Sequence, residues 1–225
     1  MAKRIFDIVL AFISLCLLSP VMLMLFFVIR INMGSPVLFK QIRPGVHGRP
    51  FLMYKFRTMT QETSEEGELL PDAMRLNKVG EFLRKYSLDE IPELINIIKG
   101  EMSFVGPRPL LIKDYVFFDE EVLTRQNVLP GITGLAQIKG RNGISWEDKF
   151  KYDLEYVEKQ SLIYDIVIIL KTFGVVFSAK GVNMPGHATS LDYGDYLLQE
   201  SKIEKADYHK KIEEAETILR EYGNY

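Results

Sequence analysis

The chain is poor in cysteine and histidine, and it lacks the short signatures of several enzyme classes. Its one cysteine, Cys16, has no partner within the chain, so no internal disulfide framework supports the fold. A reducing compartment suits such a chain. The three histidines, His47, His187 and His209, are scattered and share no metal-ligand spacing. G-x-S-x-G, H-E-x-x-H and C-x-x-C are all missing, which removes the usual serine-hydrolase, zinc-protease and dithiol readings. There is no internal repeat and no low-complexity tract. Net charge is only −2, yet its distribution is uneven. Residues 1–60 carry eight Lys or Arg against a single acid, Asp7, so the acidic excess lies in the rest of the chain. A basic front end selects an anionic partner: lipid headgroups, phosphate or nucleic acid. The neighbouring apolar stretch favours lipid or phosphate.

Apolar residues are plentiful. They make up 47% of 225 residues against 26% charged, which suits one packed domain with appendages. Residues 5–31, IFDIVLAFISLCLLSPVMLMLFFVIRI, are long enough to cross a bilayer. A cleaved signal peptide is disfavoured, because no small-x-small site follows the run. A spanning helix and a re-entrant, broken helix remain. Ser19-Pro20 falls mid-run, and a proline there removes a hydrogen bond and kinks the axis. Each half then reaches roughly 16–21 Å, about one leaflet. The backbone groups that Pro20 frees could be met by the Ser19 hydroxyl or by neighbouring helices. Lys3 and Arg4 precede the run, and Arg30, Lys40, Arg43, Lys55 and Arg57 follow it. Positive charge marks the cytoplasmic side, and a hairpin that dips in and returns satisfies both flanks.

Further along, residues 37–43 and 51–57 read as two strands joined by the Gly- and Pro-rich PGVHGRP. Lys55 and Arg57, two apart, share a strand face and can hold a diphosphate or simply be solvated. Residues 60–72 read as a mobile acidic loop, and 76–85 as a short helix carrying Arg84. Ser87-Leu88-Asp89-Glu90 matches a capping box opening a helix over 88–98, with Pro92 in its first turn and Gly100 ending it. Pro107-Arg108-Pro109 fixes an extended backbone that presents Arg108 on a stiff stem, suited to phosphate. Residues 129–143 are glycine-rich. Gly131, Gly134, Gly140 and Gly143 permit close approach to a ligand that Gln137 and Arg141 could read. Residues 161–177 form a second apolar stretch with Leu162, Ile166, Ile169, Leu170, Phe173 and Phe177 on one face, either lying in a membrane interface or buried in a core. The charged segment 200–223, apolar at Ile203, Ile212, Ala215 and Leu219, reads as a surface helix or a dimer contact.

SLDEIPELINIIKGEMSFVGPRP resembles the small monotopic phosphoglycosyl transferases, the bacterial sugar transferase family. YKFRTM at 54–59 and PGITGLAQIKGR at 130–141 resemble the family's basic strand and later glycine loop, and Ser19-Pro20 its re-entrant helix break. These motifs keep the family's order over nearly residues 1–180, and residues 201–225 have no counterpart. The resemblance implies an α+β, mainly helical fold: a re-entrant membrane anchor (1–33) and a catalytic domain with a β-hairpin and interfacial amphipathic helices (34–200), to which the helical spacing of the last residues adds a C-terminal helical tail (201–225). It implies transfer of a phosphosugar from a UDP-sugar to polyprenyl (undecaprenyl) phosphate with release of UMP, the first membrane step of a bacterial glycoconjugate pathway. Asp89 would be the nucleophile, forming a phosphosugar-enzyme intermediate. Asp89 and Glu90 would hold Mg²⁺, with Glu90 a metal ligand or proton carrier. Lys55, Arg57, Arg84, Arg108 and Arg141 would bind phosphate and nucleotide. The implied setting is the cytoplasmic face of the bacterial inner membrane, with a homodimer as one arrangement and no nucleic-acid partner. Two rivals are set against this. A haloacid-type phosphatase also forms an aspartyl phosphate but wants D-x-D after a strand. A membrane-bound scaffold that merely binds anionic lipid needs no catalysis, yet leaves three separate phosphate-type motifs without a purpose.

Overall fold

The computed structural model describes residues 1–140, 143–178 and 191–223, and its architecture is mainly helical. It opens with helix α1, Ala2–Met33, which is long and apolar enough to cross a membrane. The helix runs on through Pro20. Proline at position 20 leaves the carbonyl of Cys16 without its i+4 donor, and the Ser19 hydroxyl, one of the two partners expected, donates to that carbonyl at 2.9 Å.

Both ends of α1 are fastened to the same body. At the start, Asp7 is buried and accepts from the Ser103 hydroxyl at 2.9 Å and from the Phe104 N–H at 3.3 Å. Lys3 donates to Asp165 and to the Val105 carbonyl, and Arg4 to the Ile98 carbonyl at 3.1 Å. At the far end, Leu25, Ile29 and Met33 join Val37, Phe56 and Leu83 in one apolar cluster. Between them, Ala11 sits against Phe51, Met53, Leu94, Ile97 and Met102. The outward side keeps Ile5, Phe12, Leu17, Leu23, Phe27 and Ile31 exposed.

Strands β1 (Leu38–Pro44) and β2 (Pro50–Phe56) form the expected antiparallel hairpin, with Phe39 opposite Lys55 and Arg43 opposite Phe51. Residues 60–72 are more ordered than their composition predicts. Thr63 bridges Leu69, Met59 bridges Leu76, and Arg75 donates to the carbonyls of Leu70 and Thr60 and to Asp72. Helix α2 (Lys78–Lys85) is capped by the Asn77 side chain, which accepts from the Gly80 N–H at 2.9 Å. A Cβ at Gly80 would lie 1.8 Å from the Thr58 carbonyl oxygen, so only glycine lets this helix sit directly on the chain leaving β2.

Helix α3 (Glu93–Lys99) ends at Gly100 in the left-handed conformation. Its Asn96, fully buried, donates to the Leu52 carbonyl and to Glu101 at 2.7 Å and accepts from the Tyr54 N–H at 3.1 Å, clipping β2 to α3. Strands β3 (Ser103–Val105) and β4 (Gly131–Thr133) form a short parallel pair. Helices α4 (Leu135–Gly140), α5 (Trp146–Lys159) and α6 (Leu162–Ser178) follow. On α6 the expected apolar face turns outward: Ile166, Leu170 and Phe173 are exposed with Ile163 and Val167, while Asp165 and Ile168 are buried. Asp165 accepts from Tyr156 at 2.7 Å as well as from Lys3, so the polar interruption of the stretch is what ties it inward.

The tail forms helices α7 (Tyr193–Gln199) and α8 (Lys205–Gly223). Ile203, Ile212 and Ala215 pack with Ile112, Val116 and Phe117 of the chain's own core, while Leu219 stays exposed.

Candidate active site

The site grows from the turn between α2 and α3. The predicted capping box does not form. Ser87 is left-handed (φ 54°) and its side chain caps nothing, a conformation that costs a non-glycine residue about 1–2 kcal/mol. Leu88–Glu90 make one 3₁₀ turn, and α3 begins only at Glu93 behind Pro92. The physical reason is competition for Glu90. Its Oε1 accepts from Lys55 at 2.8 Å and from Arg108 at 2.7 Å, charge-assisted bonds stronger than a return to the backbone.

Glu93, unforeseen in the sequence reading, completes the cluster. It is 2% exposed, and its Oε1 lies 3.0 Å from the Lys55 ammonium without hydrogen-bond alignment. Three and four residues separate Glu93 from Glu90 and Asp89, and that spacing was the available signal. The electrostatics sort the three acids. Burial pushes Asp89 up to about 6, with the Glu90 charge adding and Lys55, Arg108 and Arg84 opposing. Burial also works against the Glu90 carboxylate, but Arg108 and Lys55 outweigh it and hold it down at about 2. Glu93 is pushed up to about 7, by burial chiefly, against the pull of Lys55. Asp89 lies on the 3₁₀ turn, ahead of α3. Its charge is set by burial against three cations.

Of the cations read from the sequence, Lys55, Arg84 and Arg108 converge here. Arg84, held by Nε donating to the Thr58 hydroxyl at 3.0 Å, faces Asp89. Arg108 is held from behind. Its carbonyl accepts from buried Arg125 at 2.8 Å, and Arg125 is paired with buried Asp153 at 2.6 Å, a support the sequence reading missed. Arg57 is not among them. It lies beyond the end of β2, and its guanidinium donates to the carbonyls of Met33 and Ser35 (3.1 Å for the latter), closing the C-terminus of α1. Gln137 donates to the Ile132 carbonyl at 3.2 Å, and its buried Oε1 has no hydrogen-bond partner among the described residues. Arg141 lies outside the described residues. Gly131 and Gly134 serve backbone packing: added Cβ atoms would lie 2.1 Å and 2.3 Å from backbone atoms of Gly106.

A half-buried, charge-sorted carboxylate pair ringed by lysine and arginine, beside a long apolar helix, is suited to phosphate chemistry. The chain belongs to the bacterial sugar transferase family, whose profile matches residues 1–179, and it is a phosphoglycosyl transferase. It is 48% identical over 188 residues to the uncharacterized sugar transferase EpsL of Bacillus subtilis (strain 168), covering 84% of this chain and 93% of that one. It is 38% identical over 198 residues to the exopolysaccharide production protein ExoY of Rhizobium meliloti (strain 1021), 80% of this chain and 88% of that one. With the UDP-glucose:undecaprenyl-phosphate glucose-1-phosphate transferase of Escherichia coli (strain K12) it shares 40% identity over 182 residues, 76% of this chain and 39% of the longer relative. Family membership removes the non-catalytic scaffold.

Proposed function

We propose that this chain transfers a phosphosugar from a UDP-sugar to undecaprenyl phosphate, releasing UMP, through a covalent intermediate on Asp89. The observation that carries the reading is the pairing of Asp89 with Glu90 inside the triangle of Lys55, Arg84 and Arg108. The donor and acceptor named for the Escherichia coli relative support the substrate classes. In the first step an Asp89 oxygen attacks the phosphorus bearing the sugar. The bond to the bridging oxygen breaks, and that oxygen leaves with UMP. In the second step an oxygen of the lipid phosphate attacks the same phosphorus, the acyl phosphate bond breaks, and Asp89 is regained. Covalent catalysis lets one site serve two unlike substrates in turn. Lys55, Arg84 and Arg108 offset the charge of an anion attacking an anion.

Mg²⁺ belongs to the proposal. The described residues contain no cluster of three candidate ligands, which fits an ion usually held by one or two carboxylates together with substrate phosphates. Asp89 and Glu90 would supply the protein's share, both bonds to Glu90 falling on its Oε1. When bound, the ion neutralises diphosphate charge.

We place α1 as a re-entrant anchor in the cytoplasmic leaflet of the inner membrane. Attachment of Lys3, Arg4 and Asp7 and of Met33 to one body supports this, as do the exposed apolar faces of α1 and α6. The test is UMP release from a panel of UDP-sugars, with the adduct trapped and mapped. Wild type releases UMP and carries the phosphosugar on Asp89, and Asp89→Asn does neither. A fully active Asp89→Asn variant refutes the assignment.

A further inference from the structure

Glu93 is the member of the acid cluster to which the proposed reaction gives no role. It is buried at the start of α3, and its Oε1 lies 3.0 Å from the Lys55 ammonium yet has no aligned hydrogen bond among the described residues. That oxygen serves neither a helix cap nor a backbone group. A buried acceptor left unbonded is a cost to the fold, so its placement calls for a reason beyond folding.

The reason follows from how α3 holds β2. Glu93 and Asn96 are three apart, on one side of the helix, and they meet consecutive residues of the strand. Asn96 takes the backbone, accepting from the Tyr54 N–H at 3.1 Å and donating to the Leu52 carbonyl at 2.7 Å, while Glu93 meets the tip of Lys55. The backbone clip fixes where the Lys55 side chain begins. It leaves the ammonium free to swing on a flexible four-carbon stem. Glu90 holds that tip, accepting at 2.8 Å, but the same Oε1 also takes Arg108 at 2.7 Å.

A donor diphosphate competes with Glu90 for both cations. Once drawn toward phosphate, Lys55 loses its aligned partner. An ammonium has three donors, and among the described residues Glu93 is the remaining carboxylate within ion-pair distance of it. Resting on the proposed reaction, we infer that Glu93 is a positioning residue, which retains the Lys55 ammonium beside Asp89 and Glu90 when the diphosphate draws it off Glu90. The misaligned contact is the second seat of Lys55, and it tightens when substrate enters. What this seat requires is an acceptor oxygen at the right reach, more than a charge.

The test separates reach from charge. It uses the full chain in detergent and the UDP-sugar that wild type turns over, with unfolding midpoints as the folding control and rates taken per folded molecule. Glu93→Asp keeps the charge and withdraws the carboxylate by one carbon, whereas Glu93→Gln keeps the reach and loses the charge. Glu93→Asp slows single-turnover UMP release about ten- to a hundredfold. Its kcat falls further than its KM rises, because a displaced ammonium still attracts the diphosphate from a distance. Glu93→Gln stays within about threefold of wild type, since its amide oxygen accepts a charge-assisted bond from the ammonium. In a Lys55→Met background, Glu93→Asp lowers the remaining rate no further, while a merely structural defect would slow both backgrounds alike. A Glu93→Asp variant that matches wild type overturns the inference. So does the reverse order, a slow Gln variant beside a fast Asp variant, which makes Glu93 a source of charge. Failure of the transferase reading itself is distinct, since wild type would then release no UMP from any UDP-sugar.

Discussion

Glu93 and Asp89 are acids of one cluster with opposite demands on pH. Glu93 is nearly sealed from solvent and its carboxyl is raised from 4.5 to about 7. A folded-state acid raised in this way binds protons more tightly than the unfolded chain. Its contribution to stability is present below pH 4.5 and is lost as pH rises through about 7. Glu93→Gln keeps the neutral form at every pH and leaves Lys55 its bond to Glu90. The variant is therefore expected to exceed wild type at pH 8 by about 1–3 kcal/mol and to match it at pH 4.5, as read from urea midpoints. Asp89 carries the second expectation. With its carboxyl raised to about 6, Asp89, the proposed nucleophile, is protonated, and silent, at lower pH. Single-turnover UMP release should fall about tenfold per pH unit below that point and level off above it. An inflection that follows Glu90, near 2, would assign the nucleophile to the wrong acid.

Among the elements, the turn before α3 and the end of α1 separate what the sequence made legible from what it did not. The hairpin, α2 and α6 follow from periodicity and turn residues, and their observed bounds differ from expectation by a residue or two, whereas the helix expected over 200–223 begins only at Lys205, behind the separate α7. Asp89, Glu90, Lys55, Arg84 and Arg108 were readable as a set because the motifs that carry them are local. Contacts between distant segments were not readable. Nothing near Glu90 in sequence announces that Lys55 and Arg108 will draw it from its capping role. Nothing in YKFRTM says that Lys55 faces the acids while Arg57, past the strand's end, turns to the carbonyls of Met33 and Ser35. Arg57→Gln tests that division. Removing charge-assisted bonds at a buried helix end is expected to destabilise the fold by about 1–3 kcal/mol, measured by denaturant unfolding. UMP affinity per folded molecule should stay at the wild-type value, in contrast to Arg108→Gln.

At the scale of the whole molecule, the proposed chemistry requires a soluble nucleotide sugar and a membrane-held phosphate to reach one carboxylate. The structure meets this by lashing a 32-residue apolar helix to the catalytic body along its length. A helix of that length spans about 48 Å if straight, more than a hydrocarbon core of about 30 Å, so length alone permits crossing. The attachments argue otherwise. Lys3 and Arg4 at one end, and Met33 at the other, all touch the body that carries Asp89, and a crossing helix would strand one set on the far side. The single thiol, Cys16, is exposed on the protein itself and lies one turn before Pro20, which makes it a native depth probe. In sealed vesicles Cys16 should resist a membrane-impermeant maleimide from either face and react once the bilayer is dissolved. In a Cys16→Ser background, Ala2→Cys and Asn32→Cys should both label from the face bearing the C-terminal helices and from that face only. Labelling of the two ends from opposite faces would mean that α1 crosses, and that the fastenings seen at Lys3 and Met33 do not coexist in the membrane.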